Sequence, residues 1–437
     1  MKKKILIIGL GITGISCVNF LLKKKIIPSV MDKCINPKLI EKIPSYIPCH
    51  LGSYKKDWIL NSNLIILSPG ISIFNNFLLE AQQKGIEIIG DIELFARYNT
   101  TPVIAITGTN GKSTVTNMIS KIMKKNNFNI SIGGNIGYPV LDLLSFTKDF
   151  YILEISSFQL ETIKQLNIYI AVILNISQDH MDRYPLGIKQ YRNFKLRIYK
   201  HSSICIYNSD DKLCYPHYFS PKKKYITFGK VSGKYKLCYY KNNIYLQINN
   251  KKILNFNKTK LIGIHNYVNA LAVLAVTDTL KISKKISLQE ITNYLNMNHI
   301  LQIIHVENGV TWINDSKSTN INSTKAALKY LDKKKIWLLL GGYDKNCELY
   351  LLKKYLQKRD NINIYCFGIS SKKILSIYPK AILVKTIYQG IKKIIKLVKF
   401  GDFVLLSPAC SSIDQFKNFK HRGNEFIRLV KKFHNIE

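Results

Sequence analysis

Acidic residues are scarce: 27 Asp and Glu face 65 Lys and Arg in 437 residues, a formal net charge of +38. Such a balance invites a nucleic-acid reading, which needs a basic stripe interleaved with stacking aromatics. Lysines cluster at 2–4, 23–25, 222–224 and 333–335, but no repeated basic–aromatic module accompanies them. The excess reads as compositional, predicting general attraction for acidic ligands and no specific nucleic-acid partner. Also lacking is any C-x-x-C pair among the nine cysteines, at 17, 34, 49, 205, 214, 238, 347, 366 and 410. An odd count without paired spacing predicts free thiols in a reducing cytosol and no zinc site. No apolar run is long enough to span a bilayer, so a cytoplasmic protein without membrane insertion is expected. Met1-Lys2-Lys3-Lys4 and the apolar run Ile5 to Leu22 imitate a leader, but Gly9, Gly11 and Gly14 interrupt that run. No small-residue cleavage site follows, which predicts a mature strand and helix.

The hydrophobic fraction of 46% suits a globular protein, and the length allows two or three domains. Strand-like apolar runs alternate with helical patterns, predicting α/β layers with parallel sheets. Three blocks separate by content. The first, 1–90, opens on Lys4–Ile8 and continues through Ser29–Asp32 and Leu64–Leu67. The second, 91–296, carries the strands Tyr151–Ile155 and Ile170–Ile176 and a hairpin-like stretch from Ser203 to Leu254. The third, 297–437, holds Trp337–Gly342 and Phe403–Ser407.

The strongest motif is Ile104 to Thr114: an apolar strand, the turn Thr107-Gly108-Thr109-Asn110-Gly111, then Lys112-Ser113-Thr114 and a helix expected from Val115 to Lys125. Backbone N–H groups and a helix N-terminus face an anion there, the lysine adds charge, and a hydroxyl can hold Mg²⁺. Ile106 stands where the G-x-x-x-x-G-K-S/T pattern wants its first glycine. Downstream, Tyr151–Glu154 is an apolar strand ending in a carboxylate, a suitable support for Mg²⁺. Asp179, His180 and Asp182 follow another strand and offer ligands to a second metal.

A second turn, Gly9-Leu10-Gly11-Ile12-Thr13-Gly14, follows the first strand, with Asp32 ending the next. This pattern accommodates a nucleotide diphosphate; the chemistry requires a pyrophosphate, not a nicotinamide, and a UDP-sugar satisfies it equally. Asn314–Thr319 and Gly341–Lys345 lie at strand-to-loop transitions, where either ligand contact or ordinary turns are expected. Cys410 has no activating neighbour in sequence and reads as packing.

Taken together, these residues resemble the Mur ligases. The loop Thr107–Thr114 without its first glycine resembles the ATP loop these enzymes share with folylpolyglutamate synthetases. The likeness runs through Ser68-Pro69-Gly70, Gly90–Phe95, Gly133–Gly137, Glu154–Glu161, Asp179–Pro185, Tyr191–Tyr199, His265–Ala270, Asn314–Asn320 and Leu406–Phe426. The string Ser407 to Phe419 points to the D-glutamate-adding branch, and the Asp-Asn-Pro-Arg signature of the diaminopimelate-adding branch is absent.

The resemblance implies three α/β domains. Residues 1–90 would form a Rossmann-like UDP-sugar-binding domain and 91–296 a central P-loop-type ATPase domain. Residues 297–437 would form a dinucleotide-fold-like domain that closes over ATP and binds D-glutamate. It implies an ATP-dependent amide ligase that adds D-glutamate to UDP-N-acetylmuramoyl-L-alanine through an acyl phosphate. That step belongs to cytoplasmic peptidoglycan-precursor synthesis and so serves cell-wall biogenesis, cell shape and division. ATP and two Mg²⁺ ions are the implied cofactors, and a monomer is expected.

Carried over by position, Gly108, Thr109, Asn110, Gly111, Lys112, Ser113, Thr114, Asn266, Asn269, Asp315 and Lys317 would contact ATP. Ser113, Glu154, His180 and a carbamylated Lys195 would serve the metals, with Lys112, Glu154, His180 and Lys195 as the catalytic set. Ile12, Thr13, Asp32, Ser68, Gly70 and Asn135 would meet the UDP-sugar, and Thr319, Lys345, Ser412 and Phe419 the D-glutamate. Without the resemblance, Lys195 would read as a solvated helix lysine. Two departures stand out. Ile300 and Gln302 replace an Arg and its acidic partner in His299-Ile300-Leu301-Gln302, and Cys34 replaces a uracil-side Arg found in some relatives. Three other readings are open at this stage: a ligase adding a different amino acid, a basic nucleic-acid-binding ATPase, and, suggested only by the two departures, a degenerate protein kept for binding or scaffolding.

Overall fold

The computed structural model describes residues 4–144, 147–357 and 359–435, so Lys2 and Lys3 of the first basic cluster lie outside the described residues. Among the described residues the strands form three sheets, of five, nine and six strands. The protein is α/β, and its sheets are mainly parallel.

In the first sheet Ile5–Ile8 is central, flanked by Ser29–Asp32 and Cys49–Leu51 on one side and by Leu64–Leu67 and Glu87–Gly90 on the other, all parallel. Ile5–Ile8 and Leu64–Leu67 are buried along their whole length. Helices cover both faces of such strands, which therefore read as continuous apolar runs and not as alternation. The chain reverses its order of strand addition between these two, which opens a crevice at their C-terminal ends.

The second sheet runs, edge to edge, Ile130–Gly134, Phe150–Glu154, Val103–Thr107, Ile168–Ile173, Ser202–Asn208, Lys224–Gly229, Tyr235–Tyr240, Asn243–Ile248 and Lys251–Asn255. The sequence marks Ser203 to Leu254 as hairpin-like, and here the fold differs. Ser202–Asn208 and Lys224–Gly229 extend the parallel sheet, as does the short pairing of Lys224–Gly229 with Tyr235–Tyr240; only the last three strands pair antiparallel. Alternation along a strand reports a half-buried face, not the direction of the neighbour.

In the third sheet the hairpin Gln302–Glu307 and Val310–Asn314 forms an antiparallel edge. Phe403–Leu406, Ile336–Gly341, Ile362–Phe367 and Ile382–Leu383 continue it in parallel. Helix Phe419–Phe433 buries Phe426, Leu429 and Val430 in the same apolar cluster as Trp312, Leu339 and Leu406. Each side chain of that size contributes roughly 1.5–3 kcal/mol when fully buried.

Candidate active site

The phosphate-type loop leaves strand Val103–Thr107, third from one edge of the second sheet, and its helix spans Lys112–Lys125. The helix therefore begins three residues before the expected Val115, which puts Lys112, Ser113 and Thr114 in its first turn. The cause is Gly111. Its φ of 86° suits glycine, and a Cβ there would stand 2.5 Å from Asn269 Oδ1. Lys112 is folded back on its own loop, donating to the carbonyls of Gly108 at 2.8 Å and Thr109 at 2.9 Å. Asn175 braces the turn by accepting from the Asn110 N–H at 2.8 Å, and Thr109 Oγ1 accepts from the Ser177 N–H at 2.9 Å.

This loop opens onto a cavity of about 1420 Å³ shared by the second and third sheets. Of the residues singled out in the sequence, Thr109–Thr114, Asn135, Glu154, His180, Asn266, Asn269, Asp315, Lys317, Thr319 and Phe419 line it. Glu154, 1% exposed, ends its strand with one oxygen accepting from Asn135 Nδ2 at 2.8 Å and the other, Oε2, buried without a partner. A bare carboxylate oxygen in the same cavity as the Ser113 hydroxyl is a fitting donor set for a hard divalent cation.

Lys195 is 1% exposed and does not line the cavity; it lies behind the loop, donating to the Gly108 carbonyl at 3.0 Å and to Thr107 Oγ1 at 3.3 Å. It is thus no solvated lysine. Burial, reinforced by the Lys112 cation, pushes its amine well below the usual range. Burial also lowers Lys112 and Lys317, against the pull of Glu154. His180, in a left-handed turn at φ 58°, packs edge-on to Phe158 at 4.7 Å; burial takes its imidazole down to about 4, against the pull of Asp179. It is therefore neutral at pH 7 and able to act as a ligand.

The third sheet reaches across to the second through side chains far apart in sequence. Lys345 Nζ lies 2.5 Å from Asp179 Oδ1, both buried, and Tyr343 donates to Asp182 at 2.9 Å. Burial alone would raise the Asp179 carboxyl, but Lys345 and His180 hold it below the usual carboxylate range. Asn110 and Asn320 exchange a reciprocal amide pair at 2.8 and 3.2 Å. Lys345, expected as an open cation for a substrate carboxylate, is engaged in this ion pair. Ser412 is buried and, like Lys345, does not line the cavity. Asp315 is committed to its own surroundings, accepting from Leu301 N, Ser318 Oγ and Ser407 Oγ, while burial raises it to about 6.

Ile12, Thr13, Asp32, Ser68 and Gly70 also stand outside the cavity, around the crevice of the first sheet. Ile12 is exposed and Thr13 half-buried at the start of helix Ile12–Lys23. Asp32 accepts from the N–H groups of Leu10 at 2.6 Å and Cys34 at 2.8 Å, so it shapes the glycine turn. Ser68 donates to the Gly9 carbonyl at 2.8 Å, and a Cβ on Gly14 would come 1.9 Å from that oxygen. The turn requires glycine for packing as well as for any ligand. Arg183 ties this crevice to the second sheet, donating to the Ile71 carbonyl at 2.9 Å and to both oxygens of Glu161 at 2.6 and 3.0 Å.

The sequence reading assigned no role to His265, Asn296, Asn320, Asn322, Ser323 or Lys420, all of which line the cavity. Lys420 carries a faint signal as the cation next to Phe419. At the first departure, Ile300 lines the cavity and Gln302 turns away to accept from the His299 N–H at 2.9 Å. Cys410 has a charged neighbour after all, Arg422, yet burial dominates and raises its thiol to about 12, so packing stands as its role.

Comparison with known proteins supplies the decision. Residues 3–90 match the Mur ligase MurD-like N-terminal domain model, and residues 106–277 match the Mur ligase middle domain model. A UDP-N-acetylmuramoylalanine–D-glutamate ligase of Buchnera aphidicola subsp. Schizaphis graminum is 49% identical over 98% of both chains. The chain belongs to the Mur ligase family. On the same branch, the UDP-N-acetylmuramoylalanine–D-glutamate ligase of Yersinia pseudotuberculosis is 45% identical over 98% of each chain. Among solved structures, a pseudomurein peptide ligase type C from Methanothermus fervidus matches with a TM-score of 0.64 and 18% identity, covering 99% of this chain and 100% of that one. This likeness shows the Mur ligase fold alone. No helix among the described residues is long and apolar enough to cross a membrane.

Proposed function

We propose that this Mur ligase adds D-glutamate to UDP-N-acetylmuramoyl-L-alanine at the expense of ATP. The carrying observation is the single cavity in which the loop Thr109–Thr114 and the half-partnered Glu154 meet Lys317, Thr319 and Phe419 from the third sheet. A carboxylate resists attack because its charge repels nucleophiles and oxide leaves poorly. Transfer of the γ-phosphoryl group to one carboxylate oxygen gives an acyl phosphate. The deprotonated amine of D-glutamate then attacks the carbonyl carbon, the amide C–N bond forms, and phosphate leaves with the C–O electron pair.

In this reading residues 1–90 hold the UDP-sugar, with Ile12, Thr13, Asp32, Ser68 and Gly70 at the first-sheet crevice and Asn135 at the junction. Residues 91–296 hold ATP: Lys112 turns from its loop carbonyls to the β- and γ-phosphates, the Gly108–Thr114 amides cradle them, and Asn266 and Asn269 face the adenine side. Residues 297–437 contribute Asp315 and Lys317 to the nucleotide and Thr319, Lys345, Ser412 and Phe419 to D-glutamate. Lys345 is there exchanged from Asp179 to a substrate carboxylate.

Ser113, Glu154, His180 and Lys195 would hold Mg²⁺, which when bound offsets the gathered phosphate and carboxylate charge. Burial lowers the Lys195 amine, which favours the neutral form that adds CO₂. Its carbamate would turn a repelled cation into an oxygen donor. We further assign the chain as a cytoplasmic monomer. The test is ADP release from full-length protein with ATP, Mg²⁺, UDP-N-acetylmuramoyl-L-alanine and, separately, D-glutamate, L-lysine or diaminopimelate. Turnover with D-glutamate alone is expected; turnover with another amino acid instead would overturn the assignment.

A further inference from the structure

Away from the cavity, two imidazoles and a carboxylate converge at the antiparallel edge of the third sheet. His305 and Glu307 are two apart on strand Gln302–Glu307, so both project from one face. His434 follows helix Phe419–Phe433; its ring lies 4.5 Å from that of His305, centroid to centroid, and edge-on to Trp312 at 5.3 Å. His434 Nδ1 meets Glu307 Oε2, and His305 Nε2 lies 3.6 Å from that same oxygen. One donor atom from each of the three residues lies within 4.8 Å of the other two. The His434 side chain is only 10% exposed, and the Nε2 atoms of both histidines are buried without hydrogen-bond partners, as is Trp312 Nε1.

We propose that His305, Glu307 and His434 bind a divalent transition metal of the zinc class, fastening the end of the C-terminal helix to the edge of the sheet. Two imidazoles and one carboxylate suit zinc, whereas Mg²⁺ prefers an all-oxygen shell. Ligands around a tetrahedral zinc with bonds of about 2.0–2.1 Å stand roughly 3.4 Å apart. The His305–Glu307 separation of 3.6 Å already approaches this. Glu307 is 44% exposed, so a rotation of its side chain away from His434 into solvent would admit the ion between them. A plain Glu–His hydrogen bond explains one nitrogen but leaves His305 Nε2, 3.6 Å from the same oxygen, without a hydrogen bond; the metal gives it a ligand bond. None of the three lines the active-site cavity, so the site is separate from the Mg²⁺ donors. The cysteine pattern that spoke against zinc does not bear on it, because these donors are imidazoles and a carboxylate.

The experiment uses chelator-stripped full-length protein in excess Mg²⁺, titrated with Co²⁺, whose four-coordinate complexes absorb strongly in the visible. One band-forming cobalt per chain is expected, displaced by one equivalent of Zn²⁺, and Zn²⁺ should raise the thermal midpoint. Glu307→Gln, at a half-exposed position that tolerates the change, and His305→Gln should weaken binding by at least the roughly 10–100-fold that loss of an outer-shell partner costs. Glu154→Gln should leave the band intact. Absence of the band, or a band of equal affinity in Glu307→Gln, would overturn the proposal and leave buried water as the partner of these nitrogens.

Discussion

Replacing Arg183 by Met should be among the most damaging single changes outside the cavity. The guanidinium donates to both oxygens of Glu161, sits 4.3 Å from the centroid of Phe158 and reaches the Ile71 carbonyl in the loop after strand Leu64–Leu67. The Glu161 side chain is fully buried, and its other side-chain partner is the Tyr184 hydroxyl at 3.0 Å. Removing one member of a buried pair strands the other charge, at about 3–5 kcal/mol. The lost cation–π contact adds about 0.5–2 kcal/mol. A loss near 4 kcal/mol is a large share of the roughly 5–15 kcal/mol that holds a domain together. Burial already raises the Glu161 carboxyl despite Arg183, so without the arginine it rises further. An acid raised in the folded state costs nothing below its unfolded pKa and its full penalty above its folded one. The deficit of Arg183→Met relative to the parent should therefore be largest at pH 8 and shrink towards pH 5, by about 1.4 kcal/mol per unit of pKa displacement. Arg183→Met/Glu161→Leu should recover most of the loss, since no charge is left stranded. Urea unfolding of the four proteins at both pH values measures the cycle. A deficit below about 1 kcal/mol, one independent of pH, or a double variant as unstable as the summed singles would refute the reasoning.

Lys195→Ala should cut D-glutamate ligation by roughly 100-fold or more, with partial rescue by short carboxylic acids; an unrescued loss in folded protein would refute the carbamate role. Gly111→Ala places a Cβ 2.5 Å from Asn269 Oδ1 at φ 86°, so ATP turnover should fall at least tenfold, with roughly 1–2 kcal/mol lost in unfolding assays. Lys345→Met should raise KM for D-glutamate more than KM for ATP; equal changes in both would mean that the lysine serves only the contact with Asp179. Asp91, raised to about 6 by burial, costs stability as pH climbs from about 4 to 6. Asp91→Asn should therefore stabilise by up to about 3 kcal/mol at pH 8 and by almost nothing at pH 4, read from paired urea titrations.

Features built from adjacent residues were legible in the sequence: the run Ile104 to Ser113 carries a buried strand, a turn, a cation and a hydroxyl within one local unit. The helix start expected at Val115 fell late because the sequence does not display the left-handed conformation of Gly111 that precedes the helix. Contacts between sheets were illegible. Asn110 meets Asn320 across 210 positions and Lys345 meets Asp179 across 166, and neither asparagine nor lysine announces a distant partner. The burial of Lys195 was illegible: its local sequence reads as a solvated helix lysine, and only the family resemblance singled it out. Its physics becomes visible once helix Gly187–Leu196 turns it inward beneath the loop. The cluster of His305, Glu307 and His434 escaped for the same reason, since His434 stands 127 positions from Glu307.

The shortage of acids sharpens what the buried ones mean. Glu93 accepts from the N–H groups of Lys164 and Gln165, Asp402 from the Trp337 indole, Asp179 pairs with Lys345 and Glu161 with Arg183. Each of these joins elements that the sequence keeps apart. Asp91 and Glu154 are different, for each has one buried oxygen with neither a hydrogen bond nor an ion pair, whereas the unbonded Oε1 of Glu93 lies 3.7 Å from Arg97 Nε. The two differ in setting: Glu154 lines the cavity, and Asp91 lies where the first and second sheets meet, with Gln159 at 3.4 Å as its side-chain partner. An unpaired oxygen facing a ligand cavity is a donor held in readiness, whereas one walled in by protein is only a cost. Desolvation accordingly raises Asp91 to about 6. Neutralising Glu154 should then abolish turnover while leaving the fold intact, and neutralising Asp91 should do the reverse, strengthening the fold at neutral pH without touching the chemistry. The same kind of unsatisfied atom thus marks function in one place and strain in the other, and what distinguishes them is whether the cavity reaches it.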